Sequence, residues 1–299
     1  MIDEATPPSV RAAPDVRFQL PDPGLRDFVT AYVIVESPGP LTDHLHPEWV
    51  NMRFILSGDW AIADPAGGCT LVPGLPATMF GPTDRARLFS SSAGALLGIG
   101  LTPVGWMRLI GGDASAIANR VVPLGNALGI SGEALVESLR ACADDACRFA
   151  LLDKILLRRA RSGRPREAVA LRVHDALVSG SACEVRDFAA LVGISPSALN
   201  RICLRVFGFT PKRLLRRQRF LRTLGAVRDA PDRPLTELMD PAYYDQAHFN
   251  RDFKQYMGTT PLAYFSSPRE LMRRAAEERR RVIGAPVQGL HPSGKGDAD

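Results

Sequence analysis

A short polar pattern occurs twice in the C-terminal half of the sequence, 50 residues apart. Leu199-Asn200-Arg201 returns as Phe249-Asn250-Arg251, Val206-Phe207-Gly208 as Tyr256-Met257-Gly258, and Thr210-Pro211 as Thr260-Pro261. Asn and Gln each carry a donor beside an acceptor, and Arg carries a planar fork of donors. These side chains can bond the edge of a purine through two hydrogen bonds, each pairing being worth about 1–3 kcal/mol of discrimination. One such residue on a surface is ordinary; the same polar face in both copies is not.

A face of that kind needs an apolar back. In the first copy Val185, Phe188, Ala189 and Val192 recur at i, i+3, i+4, i+7, the spacing of one helix face. Gly193 can take the left-handed conformation that ends a helix, Ser195 can cap the next, and Pro196 fits its first position, where no N–H is needed. The second helix then buries Leu199, Ile202, Cys203 and Val206 and turns Ser197, Asn200, Arg201 and Arg205 outward, which is a helix-turn-helix arrangement. The second copy buries Phe249, Phe253 and Tyr256 and exposes Gln246, Asn250, Arg251 and Lys254.

Between the copies, Pro211 to Asp229 predicts a 19-residue helix bearing Lys212, Arg213, Arg216, Arg217, Arg219 and Arg222. At 1.5 Å per residue it spans about 28 Å, close to the ~34 Å turn of a nucleic-acid duplex. Arg205, Lys212, Arg216 and Lys254, with Thr210 and Thr260 at helix starts, are the candidates for phosphate contact.

Charge supports the same division of labour. The 299 residues carry a net +5, but residues 1–150 hold 10 Lys/Arg against 16 Asp/Glu and residues 151–299 hold 27 against 16. A basic second half suits a polyanionic partner, and 45% hydrophobic content excludes a wholly disordered chain. No apolar run reaches the ~18–20 residues of a membrane span, the first 15 residues lack a signal-peptide pattern, and five scattered cysteines do not form a disulfide framework. The expected compartment is a reducing cytoplasm.

The run Tyr243-Tyr244-Asp245-Gln246-Ala247-His248-Phe249, followed by Arg251, Phe253, Gly258, Thr260-Pro261 and Tyr264, resembles the signature of the AraC/XylS family of transcription regulators. Phe188-Ala189, Gly193, Ser195, Leu199, Arg201, Gly208 and Pro211 fit the same family. The resemblance covers about residues 170–266. It implies seven helices and two helix-turn-helix units in adjacent major grooves of double-stranded DNA. By position it implies base contacts from Ser197, Asn200 and Arg201 and from Gln246, Ala247, Asn250 and Arg251. Asp240-Pro241-Ala242 departs from it, being one residue shorter and lacking the family's glycine, which puts the angle of the second reading helix in question.

Such regulators often carry a cupin-type β-barrel that binds an effector or dimerises. Runs such as Phe28–Val35, Val50–Leu56, Ala77–Phe80 and Leu96–Leu101, separated by Gly and Pro, predict a sandwich or barrel. The expected architecture is therefore two-domain α+β. It comprises an arm (1–15), a small cupin-like barrel (16–128), a helical connector (129–164), the DNA-binding domain (165–266), a solvated basic helix starting with a Ser267 capping box (267–283) and a disordered tail (284–299). The helix Asp144–Ala160 carries Phe149, Leu152, Ile155 and Leu156 on one face, read as a dimer seam with ordinary core as the alternative.

His44, His46 and Glu48 would share a strand face, but with no fourth ligand nearby the histidines are read as solvent-facing or strand-end residues, with effector binding as the lesser alternative and with no metal and no cofactor. Trp49, Phe54, Trp60, Phe80 and Trp106 are read mostly as core, with an apolar pocket as the alternative. Phosphate loops, nucleophile elbows and Cys-x-x-Cys are absent from the sequence. The sequence reads as a regulator, an activator and no enzyme, with a small-molecule effector, a homodimer partner and the transcription machinery as expected associations. The competing reading is a cupin-like metalloenzyme fused to a DNA-binding domain.

Overall fold

The computed structural model describes residues 13–63, 69–70, 75–161, 167–230, 232–285 and 287–291. The expected arm through residue 12, the end of the connector at 162–164 and the tail beyond 291 lie outside the described residues.

The N-terminal half folds as two antiparallel sheets. The larger has the order β1 (Asp15–Gln19), β2 (Val29–Ser37), β9 (Gly94–Leu101), β4 (Asn51–Ile55), β7 (Ala77–Phe80) and β10 (Val121–Pro123). The smaller has β3 (Leu41–Leu45), β8 (Arg87–Ser91), β5 (Trp60–Ala63) and β6 (Cys69–Thr70). Of the sandwich or barrel expected from the strand spacing, the two sheets form the former; they do not join into the closed cupin-type barrel that the family resemblance implies. One ends at β1 and β10 and the other at β3 and β6, so each keeps its edges.

Alternation along each strand sorts the side chains of the large sheet onto two faces. On β4, Met52 and Phe54 point one way and Asn51, Arg53 and Ile55 the other; on β9, Leu97 and Ile99 oppose Leu96, Gly98 and Gly100. The first face is covered by α2 (Gly132–Ala141) and α3 (Asp145–Ala160), capped by Ser131 and Asp144. A helical turn, α1 (Pro103–Gly105), leads into a π turn that adds Trp106 and Leu109 to the same core. This corrects the dimer seam: Leu152 and Leu156 are fully buried, Ile155 nearly so, and Phe149 stacks on Tyr32 with ring centroids 5.5 Å apart. The sheet's apolar face needs a cover, and this helix supplies it.

From residue 167 the chain is helical. The elements are α4 (Glu167–Ser179), α5 (Val185–Val192), α6 (Pro196–Ile202, extended by a π turn through Phe207), α7 (Pro211–Asp229), α8 (Leu235–Leu238), α9 (Gln246–Met257), α10 (Pro261–Ser266) and α11 (Glu270–Ile283). One core gathers Phe188, Val192, Leu199, Cys203 and Val206 with α4; a second gathers Phe220, Phe249, Phe253, Tyr256 and Tyr264. No single described helix is long and apolar enough to cross a membrane.

Two expectations for the C-terminal end are corrected. The helix α11 is not freely solvated but lies along β1 and β3, burying Leu271 and Ala276. Its start is held by Asp43 of β3, which accepts from the Met272 amide at 2.9 Å, rather than by a Ser267 capping box. Residues 287–291 are largely buried between the two halves. Gln288 donates to the carbonyls of Leu101 (3.1 Å) and Val50 (3.3 Å) and accepts from Asn51 (2.9 Å), while Gln218 of α7 donates to the Gly289 carbonyl at 2.7 Å. Gly100 makes room for it, since a Cβ there would lie 2.7 Å from Gln288 Nε2.

Candidate nucleic-acid interface

The first unit owes its shape to backbone conformation and apolar packing. α5 and α6 meet at 87°, near the angle of helix-turn-helix pairs. Gly193 turns the corner at φ +74°, and its N–H donates to the carbonyls of Ala189 and Ala190. No atom lies within 4 Å of where its Cβ would be, so the dihedral alone calls for glycine. Ser195 caps α6 by accepting from the Ala198 amide at 3.2 Å. With Leu199, Cys203 and Val206 inward, Ser197, Asn200, Arg201 and Arg205 are exposed, as the spacing predicts.

The second unit reaches a similar surface by other means. Its first helix, α8, has only four residues and ends at Met239 in extended conformation, because Pro241 disfavours a helical continuation. Side chains of α7 then fix the shortened turn. Asp240 accepts from Arg222 Nε at 2.7 Å, its amide donates to Thr223 Oγ1 at 2.9 Å, and Arg219 donates to the Ala242 carbonyl at 3.0 Å. Asp245 caps α9, accepting from the His248 amide at 2.6 Å. Below the helix, fully buried Asp252 accepts from Arg216 Nε at 2.9 Å, Tyr243 OH at 3.1 Å and Arg219 Nη2 at 3.2 Å. Gln246, Ala247, Asn250, Arg251 and Lys254 are exposed along α9.

The connecting helix forms as the sequence predicts, but most of its arginines are committed within the chain. Arg213 pairs with Asp84, Arg216 and Arg219 with Asp252, and Arg222 with Asp240. Arg217 is fully buried with its guanidinium 3.9 Å from the Trp49 ring, and burial pushes its pKa down to about 10. Arg216, still partly exposed, is held against Asp252 beneath α9. Lys212, Thr210 and Thr260 are exposed.

The β-rich half grips both units from behind. Beneath the first, Trp49 lies edge-on to Phe207 and His174, with centroids 5.6 and 6.1 Å away, and a Cβ on Gly208 would meet Pro82 at 2.4 Å. Beneath the second, the Ala86 amide donates to the Tyr256 carbonyl at 2.5 Å and His46 shares a 2.6 Å hydrogen bond with the Tyr264 hydroxyl. This revises the reading of His44, His46 and Glu48. β3 ends at Leu45, so the three do not share a strand face; His44 is half-buried, edge-on to Tyr264, and His46 is buried. Burial first, then neighbouring arginines, hold the His46 imidazole well below its ordinary pKa, and Glu48 accepts from Arg53 at 2.6 Å.

Between the sheets lies a cavity of about 180 Å³, closed on one side by α11 and the Gln288 segment. Phe18, Val33, Ile62, Phe89 and Leu271 make it largely apolar. Of the aromatics singled out in the sequence, Trp60 and Phe80 line it, Phe54 and Trp106 are core, and Trp49 belongs to the joint. Gln288 was not singled out, and Arg279 was read only as one of the arginines of a solvated basic helix. The spacing of Leu271, Ala275, Ala276 and Arg279 along one face of α11 was the available signal.

Residues 188–267 match a family model described as a helix-turn-helix domain. Among solved structures, ToxT from Vibrio cholerae is similar at 9% identity and a TM-score of 0.44, the match covering 85% of this chain and 98% of ToxT. ToxT bound to (E)-4-(8-methylnaphthalen-1-yl)but-3-enoic acid aligns at 10% identity and a TM-score of 0.43, over 85% of this chain and 98% of that one. The AraC-like transcriptional activator CuxR aligns at 16% identity and a TM-score of 0.28, over 70% of this chain and 86% of its own. No curated protein matches the chain.

Proposed function

We propose that the chain is a DNA-binding transcription regulator of the AraC/XylS type, that it reads its operator with both units, and that it is controlled by a small molecule bound between its sheets. Ser197, Asn200 and Arg201 on α6, and Gln246, Ala247, Asn250 and Arg251 on α9, contact base edges. Arg205, Thr210, Lys212, Lys254 and Thr260 contact phosphates. The observation that carries this reading is the recurrence of an exposed Asn-Arg pair on two helices that differ in almost everything that holds them.

Phosphate contacts give salt-dependent affinity, log K falling by about 0.9 per phosphate neutralised for each tenfold rise in salt. The test is selection of bound sequences from a random duplex pool, followed by footprinting. Protection of two segments about one helical turn apart supports reading by both units. A single protected segment removes the second unit from the reading, and no enrichment of any sequence overturns it.

The cavity supports the effector half of the proposal, being apolar with a few polar groups converging at one end, as small-molecule sites are. Its walls include α11, which follows directly on α10 of the DNA-binding domain.

A further inference from the structure

Two cysteines meet across the turn between α2 and α3. Cys142 caps the end of α2 in extended conformation (φ −66°, ψ 134°), and Cys147 stands three residues past Asp144, which caps the start of α3. Both helix ends are tied down. Asp144 accepts from the Cys147 amide at 2.8 Å, and Arg148 reaches back to the carbonyls of Leu139 (3.1 Å) and Cys142 (3.4 Å). The two thiols are in hydrogen-bonding contact. Cys147 is exposed and Cys142 half-buried, and their neighbours Ala141, Ala143 and Ala146 are small and exposed, so the pair is open to a solute.

Cys203 and Cys183 are placed differently. Cys203 is fully buried in the first helix-turn-helix unit, where burial pushes its pKa up to about 12, and Cys183 is exposed in the turn before α5. Within the pair, burial and then the hydrogen bond to Cys147 push the Cys142 thiol up to about 11. Cys142 is therefore the proton donor, and the exposed Cys147 is the sulfur that an oxidant meets first. Two thiols already held in contact by capped helix ends need little rearrangement to join, once an oxidant takes up the electrons.

We propose that Cys142 and Cys147 are a peroxide-sensitive dithiol that closes reversibly into a disulfide stapling α2 to α3. Cys147 attacks a hydroperoxide and the O–O bond breaks. Alcohol or water leaves with the thiol proton, and the sulfur becomes a sulfenic acid. Cys142 then attacks that sulfur: the S–S bond forms, the S–O bond breaks, and the hydroxyl leaves as water with the Cys142 proton. Two thiols are oxidised and one peroxide is reduced. The staple falls on the helices that cover the large sheet, whose opposite face lines the cavity. It also adjoins Asp145, which accepts from Arg17 of β1 at 2.9 Å, and β1 packs against α11.

The test exposes the reduced full chain, freed of reductant, to hydrogen peroxide and counts its thiols in denaturant. The count of five falls by two, and dithiothreitol restores it. Trypsin leaves both cysteines in the peptide 141–148, so the disulfide appears as a loss of two hydrogen atoms within that peptide. The oxidised chain melts several degrees above the reduced one. Cys183→Ser keeps this behaviour, and Cys142→Ser stops at a sulfenic acid on Cys147 that dimedone traps; melting curves establish that both variants fold. A parent chain that keeps all its thiols at a dose converting free cysteine to cystine overturns the proposal without recourse to any variant. So does a disulfide mapped to another pair, oxidation that dithiothreitol does not reverse, or a melting temperature that does not rise. A Cys142→Ser chain that still loses two thiols overturns it as well.

Discussion

The two helix-turn-helix units present similar surfaces on different foundations. The first is held by its own sequence grammar: a complete α5, a left-handed glycine, a Ser-Pro start and an aliphatic interior. The second has lost half of its first helix and is held instead by an electrostatic frame, in which Asp240 and Asp252 are gripped by Arg216, Arg219 and Arg222 of the helix between the units. Apolar packing is local and tolerant of neighbours, whereas a buried carboxylate depends on every partner being present. The connecting helix is thus less a charged strut along the duplex than a clamp on one of the units it joins.

The largest test of this contrast is Asp252→Ala. Removing one member of a buried charged cluster leaves the others unpaired, and we expect a loss of about 3 kcal/mol, toward the low end for such pairs because Arg216 is partly exposed. Denaturant unfolding measures the loss, and footprinting should show the α9 half of the protected segment failing first. Equal loss of both halves would show that the units are not separately supported.

At the level of recognition the contrast should vanish. Arg201→Ala and Arg251→Ala should each cost about 1–3 kcal/mol on the selected operator and relax preference at one position, with little effect on unfolding. Arg201→Ala binding all sequences as the parent does would remove α6 from the reading face.

Acid offers an intermediate effect, because each unit rests on a buried neutral histidine. Burial lowers the pKa of His174, beneath the first unit, to about 4, and holds that of His46, beneath the second, well below its ordinary value. The unfolded chain takes up these protons near pH 6.5 and the folded chain does not. The contribution is therefore intact above that pH and declines as pH falls toward 4, by about 1.4 kcal/mol per pH unit for each site. Melting temperatures between pH 7.5 and 5 should fall accordingly, and His174→Phe should flatten part of the slope. A profile level over that range would mean that neither histidine is held neutral.

How far this was legible in the sequence follows from the range of the interactions. Heptad-like spacing fixes α5, α6 and α9 because Phe188, Leu199 and Phe249 recur locally, and strand alternation places β4, β7 and β9. The fate of the arginines was hidden, since Asp84 and Asp252 lie 129 and 36 residues from their partners and charge alone does not distinguish a clamp from a phosphate contact. The dimer seam and the free basic helix failed for a shared reason. Each assumed that an amphipathic face without a local cover is left open, whereas α3 and α11 are the covers, brought from distant parts of the chain.

The smallest effect concerns the turns themselves. At Gly193, a Cβ would meet nothing within 4 Å, so Gly193→Ala introduces only the strain of φ +74° in a residue with a side chain, about 1–2 kcal/mol. Gly193→Asn should cost less, since Asn adopts that region more readily. The second turn contains no glycine, and its equivalent weakness is Arg222, whose removal frees Asp240 and the chain before α9. If the first turn depends on a dihedral and the second on a charge, Gly193→Ala should lower the melting point equally at low and high salt. Arg222→Met should do so more at low salt, where the lost ion pair contributes most. Matching salt profiles for the two variants would mean that both turns rest on the same physics, and the distinction between the units would fall.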